Sequence, residues 1–208
     1  FVSFDLSVIP HKNIILAVTG GIAAYKSAIL VRRLKDAGFS VRVVMTKGAQ
    51  AFITPLTFQA LSGNPVHTEL LDTEAEAGMG HIELARWADL ILVAPASCDT
   101  LAKFAAGLAD DLLSTLYLAT NAPVWVAPAM NQQMWAAKAT QRNLQTLVED
   151  GIHVIMPDAG SQACGDVGLG RMPEPEQLAY QVREYFHKAQ RAIAEKFGLL
   201  AGKHVVVT

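Results

Sequence analysis

The stretch "NIILAVTGGIAAYKS", Asn13 to Ser27, sets the fold. "NIILAVTG" (Asn13–Gly20) is a short apolar run ended by glycine, the pattern of a buried strand. "IAAYKSAILVRRLKDAG" then reads as a helix stopped by Gly38. A strand apolar on both faces, delivered through a glycine turn into a helix, opens a βαβ unit. Working outward, four more apolar runs repeat it: "VRVVM" (Val41–Met45), "LILVA" (Leu90–Ala94), "PVWVA" (Pro123–Ala127) and "HVIMP". Helical patterns lie between them in "CDTLAKFAAG", "DDLLSTLYLAT" and "TQRNLQTLVEDG", and a long helix is expected from about Glu176 to Gly198. The expected class is α/β: a doubly wound, flavodoxin- or Rossmann-like parallel sheet with helices on both faces, in a single domain over residues 1–198. Ligands of such sheets sit outside the carboxyl ends of the strands, so chemistry is sought just after each apolar run.

Composition narrows the function. Apolar residues make up 51% and charged residues 17% of the 208 residues. That charge content is below the usual quarter or so, too little to coat a monomer, which implies a buried subunit interface. A net charge of −2 without a basic stripe gives no footprint for nucleic acid. The two cysteines, Cys98 and Cys164, form no CxxC pair, which argues for a reducing cytosol and against a zinc site or any other metal centre. No signal-peptide pattern opens the chain.

From Leu112 to Ala137 there is no charge, a length that would span a bilayer. Pro123, Pro128, Asn121 and Asn131 to Gln133 interrupt it, so a helix followed by a buried strand is the expected reading. The chain ends on "GKHVVVT", which reads as a linker and the first strand of a following domain at residues 199–208.

Five segments carry candidate chemistry. "TGGIAAYKS" offers Gly20, Gly21 and Ile22 at a helix start suited to a phosphate, with Ser27 either a ligand or a plain surface hydroxyl. It has neither the GxGxxG of dinucleotide sites nor the GK[ST] of a nucleotide P-loop. "MTKGAQAF" places Thr46, and Phe52 beyond it, where a dinucleotide enzyme would often hold an acidic residue, which suits a smaller phosphate- or flavin-bearing ligand. "APASCDTLAK" puts Ser97, Cys98, Asp99 and Thr100 at another strand-to-helix turn, with Asp99 alternatively a helix cap. "PAMNQQMW" brings Ala129, Asn131 and Met134, and Asn131 is either a substrate ligand or an N-cap. In "DAGSQACGDVGLGRM", Asp158 to Met172, a thiol sits on a glycine-rich loop, placed to reach something and to move as lids do. His81, before a short amphipathic helix in "GHIELARWAD", reads as a structural cap unless a partner site recruits it.

Together "PAMNQQMW" and "ACGDVGLGRM" resemble the two substrate motifs of the phosphopantothenoylcysteine decarboxylase family, among the flavin-dependent cysteine decarboxylases. "TGGIAAYKS", "GHIELARWAD" and "PASCDTLAK" resemble that family's flavin and histidine segments in the same order, from about Asn13 to Met172. "GKHVVVT" is similar to the opening of the phosphopantothenate–cysteine ligase domain to which bacterial members are fused. The "SCD" of Ser97–Asp99 departs from the pattern, since relatives commonly carry alanine where Cys98 stands.

The resemblance implies FMN, bound between subunits of a homotrimer, with bacterial fusions assembling trimers into a dodecamer. It implies cofactor contacts for Gly20, Gly21, Ile22, Ser27, Thr46, Phe52, Ser97, Cys98, Asp99, Thr100 and Ala129. Asn131, Met134, Ser161, Ala163, Arg171 and Met172 would hold the substrate, 4'-phospho-N-pantothenoylcysteine. His81 would transfer a proton, and Cys164 would be the late proton donor, with Asn131 in the catalytic set. Three rivals differ in what they need. A flavin prenyltransferase has no use for the paired substrate motifs, a non-catalytic regulatory flavoprotein tends to lose the histidine or the thiol, and a dinucleotide dehydrogenase needs GxGxxG.

Overall fold

In a computed structural model, residues 11–70 and 80–196 are described. Six strands form one parallel sheet: β1 (Asn13–Val18), β2 (Ser40–Met45), β3 (Val66–His67), β4 (Leu90–Ala96), β5 (Val124–Pro128) and β6 (His153–Val154). Their order is β3-β2-β1-β4-β5-β6. Strand order therefore reverses between β1 and β4, the place where doubly wound sheets open a crevice. The expected doubly wound sheet is present, in the order of the Rossmann type.

Alternate side chains of the central strands enter two cores. Ile14, Leu16 and Val18 pack on one face with helices α1 (Ala24–Asp36), α2 (Pro55–Ser62) and α8 (Pro175–Lys196). Ile15, Ala17, Ile91 and Val93 pack on the other. There they meet α3 (His81–Trp87), α4 (Cys98–Ala106), α5 (Leu112–Ala119), α6 (Gln132–Ala136) and α7 (Lys138–Glu149). Both faces of β1 and β4 are dry, which is why these strands read as unbroken apolar runs.

The uncharged segment resolves into α5 and β5, as its prolines imply, and no described helix is long and apolar enough to cross a membrane. Asp111 starts α5 with a capping box to Ser114, 2.7 Å from its backbone nitrogen. Burial pushes the Asp111 carboxyl up, but the Ser114 hydrogen bonds and the Lys103 ammonium outweigh it and hold it below the usual range.

Three differences from expectation have physical causes. β3 is two residues long and lies at the sheet edge, too short for its sequence to announce. The fifth apolar run contributes only His153–Val154, because β6 is also an edge strand. The glycine-rich segment is a hairpin, β7 (Asp158–Ser161) against β8 (Val167–Arg171). Residues 199–208, read as a linker and strand, lie outside the described residues.

Candidate active site

A cavity of about 480 Å³ lies at the carboxyl edge, beside the β1/β4 reversal, within the size range of small-molecule sites. One wall is made by two strand-to-helix turns. Gly20, Gly21 and Ile22 line it at the start of α1, and Ser97 and Cys98 at the start of α4. A β-carbon on Gly20 would stand 3.1 Å from the carbonyl carbon of Gly48, so a side chain there would have to push the Gly48 backbone back by a few tenths of an ångström. Thr19 ties the two turns together inside the core. Its hydroxyl donates to the Pro95 carbonyl at 2.6 Å and accepts from the Ser97 backbone N–H at 2.8 Å. Ser97, not Asp99, caps α4, accepting from the Thr100 backbone N–H. No side chain caps α1, which leaves amide donors beside the glycine turn, a suitable seat for a phosphate group.

The other wall is the hairpin with the turn after β5. Asn131 caps α6 by accepting from the Gln133 N–H at 2.8 Å. With its oxygen so engaged, the Asn131 amide nitrogen is turned to the hairpin tip, 2.8 Å from Asp166 Oδ2 and 3.3 Å from Cys164 Sγ. The thiol itself lies 3.5 Å from the same Asp166 oxygen and is exposed. Asn131 thus caps α6 with its oxygen and meets the hairpin tip with its nitrogen. Ser161, Ala163, Met134, Arg171 and Met172 also line the cavity, as does Ala129.

Several expected cofactor residues sit elsewhere. Ser27 is a correction: it is fully buried and donates to the Ala94 carbonyl at 2.6 Å, bracing α1 on β4 instead of facing a ligand. Thr100 is buried as well, its hydroxyl 3.1 Å from that of Ser97. Asp99 is exposed and reaches Lys103 at 3.8 Å, and Phe52 is 53% exposed; neither lines the cavity. Thr46, also outside the lining, accepts from the Ala49 N–H.

His81 is the first residue of α3, after Gly80 at the N-cap, and is absent from the cavity wall. Because α3 feeds β4 through Ala88 and Asp89, its start lies toward the carboxyl edge of the sheet. But α3 packs with α5 on the face opposite α1.

Three residues in this site went unassigned from sequence. Gln162 and Asp166 are hairpin residues whose partners lie across the tip and on α6. Lys26, the one buried lysine among the described residues, donates to the Met172 carbonyl at 3.0 Å and to Glu174 at 2.7 Å. Its sequence signal was a lysine set among apolar helix residues.

A family model described as Flavoprotein matches residues 6–187. The chain belongs to the flavoprotein family. It is 59% identical over 181 residues to the coenzyme A biosynthesis bifunctional protein CoaBC of Vibrio vulnificus, covering 87% of this chain and 45% of that one. Against the Escherichia coli protein of the same name the identity is 62% over 164 residues, covering 79% and 40%. The chain thus spans less than half the length of these relatives. Among solved structures, a PPC decarboxylase mutant complexed with pantothenoylaminoethenethiol superposes with TM-score 0.75 at 35% identity, covering 85% of this chain and 99% of that one. The FMN binding protein AtHal3 gives 0.73, also at 35%, covering 85% and 97%.

Proposed function

We propose that this flavoprotein chain is the FMN-dependent decarboxylase that converts 4'-phospho-N-pantothenoylcysteine to 4'-phosphopantetheine in coenzyme A biosynthesis. The observation that carries this is the Asn131–Asp166–Cys164 cluster facing a glycine turn across one cavity. The CoaBC relatives and the PPC decarboxylase structure support the same reading. The turn wall fits a flavin mononucleotide: uncapped α1, a Gly20 packed closely on the Gly48 backbone, and small residues at Gly21, Ser97 and Ala129.

Loss of CO₂ directly from a cysteine carboxylate would leave an unstabilised carbanion. Bound FMN supplies two-electron oxidation of the thiol-bearing carbon and later returns those electrons. Oxidised there, the substrate is a thioaldehyde, and CO₂ loss yields an enethiolate. Around it, Ile22, Ala129, Met130, Met134 and Met172 make an apolar part of the lining, with Ile22 and Met134 still exposed. The Asn131 amide nitrogen, held here by Asp166 and Cys164, would exchange those partners to donate to an anionic group of the substrate, and Arg171 lies in the same wall. Cys164 holds a proton at Sγ, over the cavity, for the carbon that must finally be protonated.

His81 enters this reading from a second subunit. Tyr25 and Ile29 on α1, at 57% and 40%, extend an exposed stripe from Ile22 in the turn before it, at 62%, with Phe52 and Leu56 also exposed. A homotrimer that covers this stripe and shares its cavities between chains would bring His81 to a neighbour's site. Light scattering is expected to give at least three chains per particle; a monomer at micromolar concentration contradicts it.

The test is a pair of variants with flavin absorbance and product mass as readouts. His81→Asn is expected to keep FMN and lose flavin reduction by substrate. Cys164→Ser is expected to release CO₂ once and stop at the oxidised enethiol, because a hydroxyl is far less acidic than a thiol of pKa about 8.5. Wild-type protein that binds FMN and releases no CO₂ from the substrate would make this a binding protein instead.

A further inference from the structure

The hairpin that carries Cys164 reaches α6 mainly through one side chain, Gln162. Its amide oxygen accepts from the Gln132 N–H at 3.0 Å, the first backbone donor of α6. Its amide nitrogen donates to the Met130 carbonyl at 3.3 Å and to the Leu169 carbonyl on β8 at 3.2 Å. One side chain thus joins the tip of the hairpin, its second strand and the turn bearing Asn131. The backbone of Gln162 also closes the tip. Its N–H donates to the Asp166 carbonyl at 2.7 Å, and its carbonyl accepts from Gly165 at 2.9 Å. Cys164 is held between those two bonds.

Glycines make the contact possible. Met130 N–H donates to the Gly170 carbonyl at 2.9 Å. A β-carbon on Gly170 would collide with the Met130 carbonyl oxygen, and one on Gly168 with the Gln132 side chain. Most of the hairpin is exposed, so apolar burial contributes little to its docking. Hydrogen bonds to otherwise unpaired backbone groups are left to set its position.

We propose that Gln162 is a positioning residue of this enzyme, holding the hairpin tip in the one register that puts Cys164 Sγ beside the Asn131 amide. This rests on the decarboxylase reading, with Cys164 as final proton donor. Without Gln162 the hairpin still forms, but its tip leaves α6, and the enethiol escapes before it is protonated, so the two electrons taken from the substrate would stay on the reduced cofactor until dioxygen in the buffer removes them.

The experiment compares wild type, Gln162→Ala and Gln162→Glu in the full FMN-loaded protein. Glutamate keeps the acceptor for Gln132 and loses both donors, so it decides the matter should the alanine variant fail to fold. Flavin reduction by substrate is expected within about twofold of wild type in both variants. The share of turnovers ending as oxidised enethiol is expected to rise about tenfold, as for a lid that no longer closes. Hydrogen exchange over residues 162–171 should rise about tenfold, with β1, β4 and β5 unchanged. Wild-type product partition in a folded variant overturns the proposal, whatever its exchange. Equal loss of flavin reduction and product overturns it too, since that is general damage. Wild type releasing no CO₂ is the distinct failure, that of the decarboxylase reading.

Discussion

The turn wall of the cavity, residues 20–22 with 97 and 98, hangs from hydroxyls inside the core, whereas the hairpin wall, residues 158–171, hangs from amides and glycines at the surface. Thr19 is fully buried, and its hydrogen bonds join backbone groups on either side of the chain reversal. Such a wall moves only if the core moves. The hairpin contributes no residue to either core, which resumes only at Met172 just after it, and it meets α6 through groups that water can replace. A cofactor that stays bound suits the first wall. A substrate that must enter, react and leave suits the second.

Breaking the turn wall has the largest expected effect. In Thr19→Val the Pro95 carbonyl and the Ser97 N–H lose their shared partner inside the core. Buried groups left unsatisfied cost about 1–3 kcal/mol each, so denaturant unfolding should shift by at least that much. FMN affinity should fall with it, because both turns face the cavity. If stability drops while FMN affinity stays at the wild-type value, the coupling of this wall to the core is wrong.

Breaking the hairpin wall should spare the core. Gly170 has φ +136°, a conformation that side chains rarely adopt, and faces the Met130 carbonyl. Gly170→Ala is expected to undock the hairpin, raise trypsin cleavage after Arg171, and leave the unfolding midpoint near wild type. A large stability loss with an uncut hairpin would show that the two walls are one structural unit.

The same contrast explains what the sequence made legible. Central strands, buried on both faces, announce themselves as apolar runs, so β1, β2, β4 and β5 lie within a residue or two of expectation. Edge strands β3 and β6 have two residues each and no pattern to read. The hairpin was hidden because its glycines, read as mobility, serve close packing against α6. Chemistry-bearing residue types such as Asn131 and Cys164 could be picked from motifs. Gln162 and Lys26 could not, because their meaning is a partner 30 and 146 residues away. Ser27 erred the other way: a hydroxyl near a phosphate-suited turn reads as a ligand, and only the fold shows it turned into the core.

The smallest expected effect tests which wall a thiol belongs to. Cys98 opens α4 on the turn wall, half-buried, with Sγ 3.4 Å from the Thr140 hydroxyl of α7. Cys164 stands exposed on the hairpin tip, bonded to Asn131 and Asp166. Both line one cavity, so position alone does not separate their roles. Their attachments do. A thiol packed at a rigid helix start behaves as a small filler, so Cys98→Ala should alter FMN affinity by no more than about threefold. The saturated product should still form, because proton delivery belongs to the wall that moves. Mass spectrometry of the product decides: oxidised enethiol from Cys98→Ala, with normal product from Cys164→Ser, would assign the proton to the rigid wall and reverse the comparison.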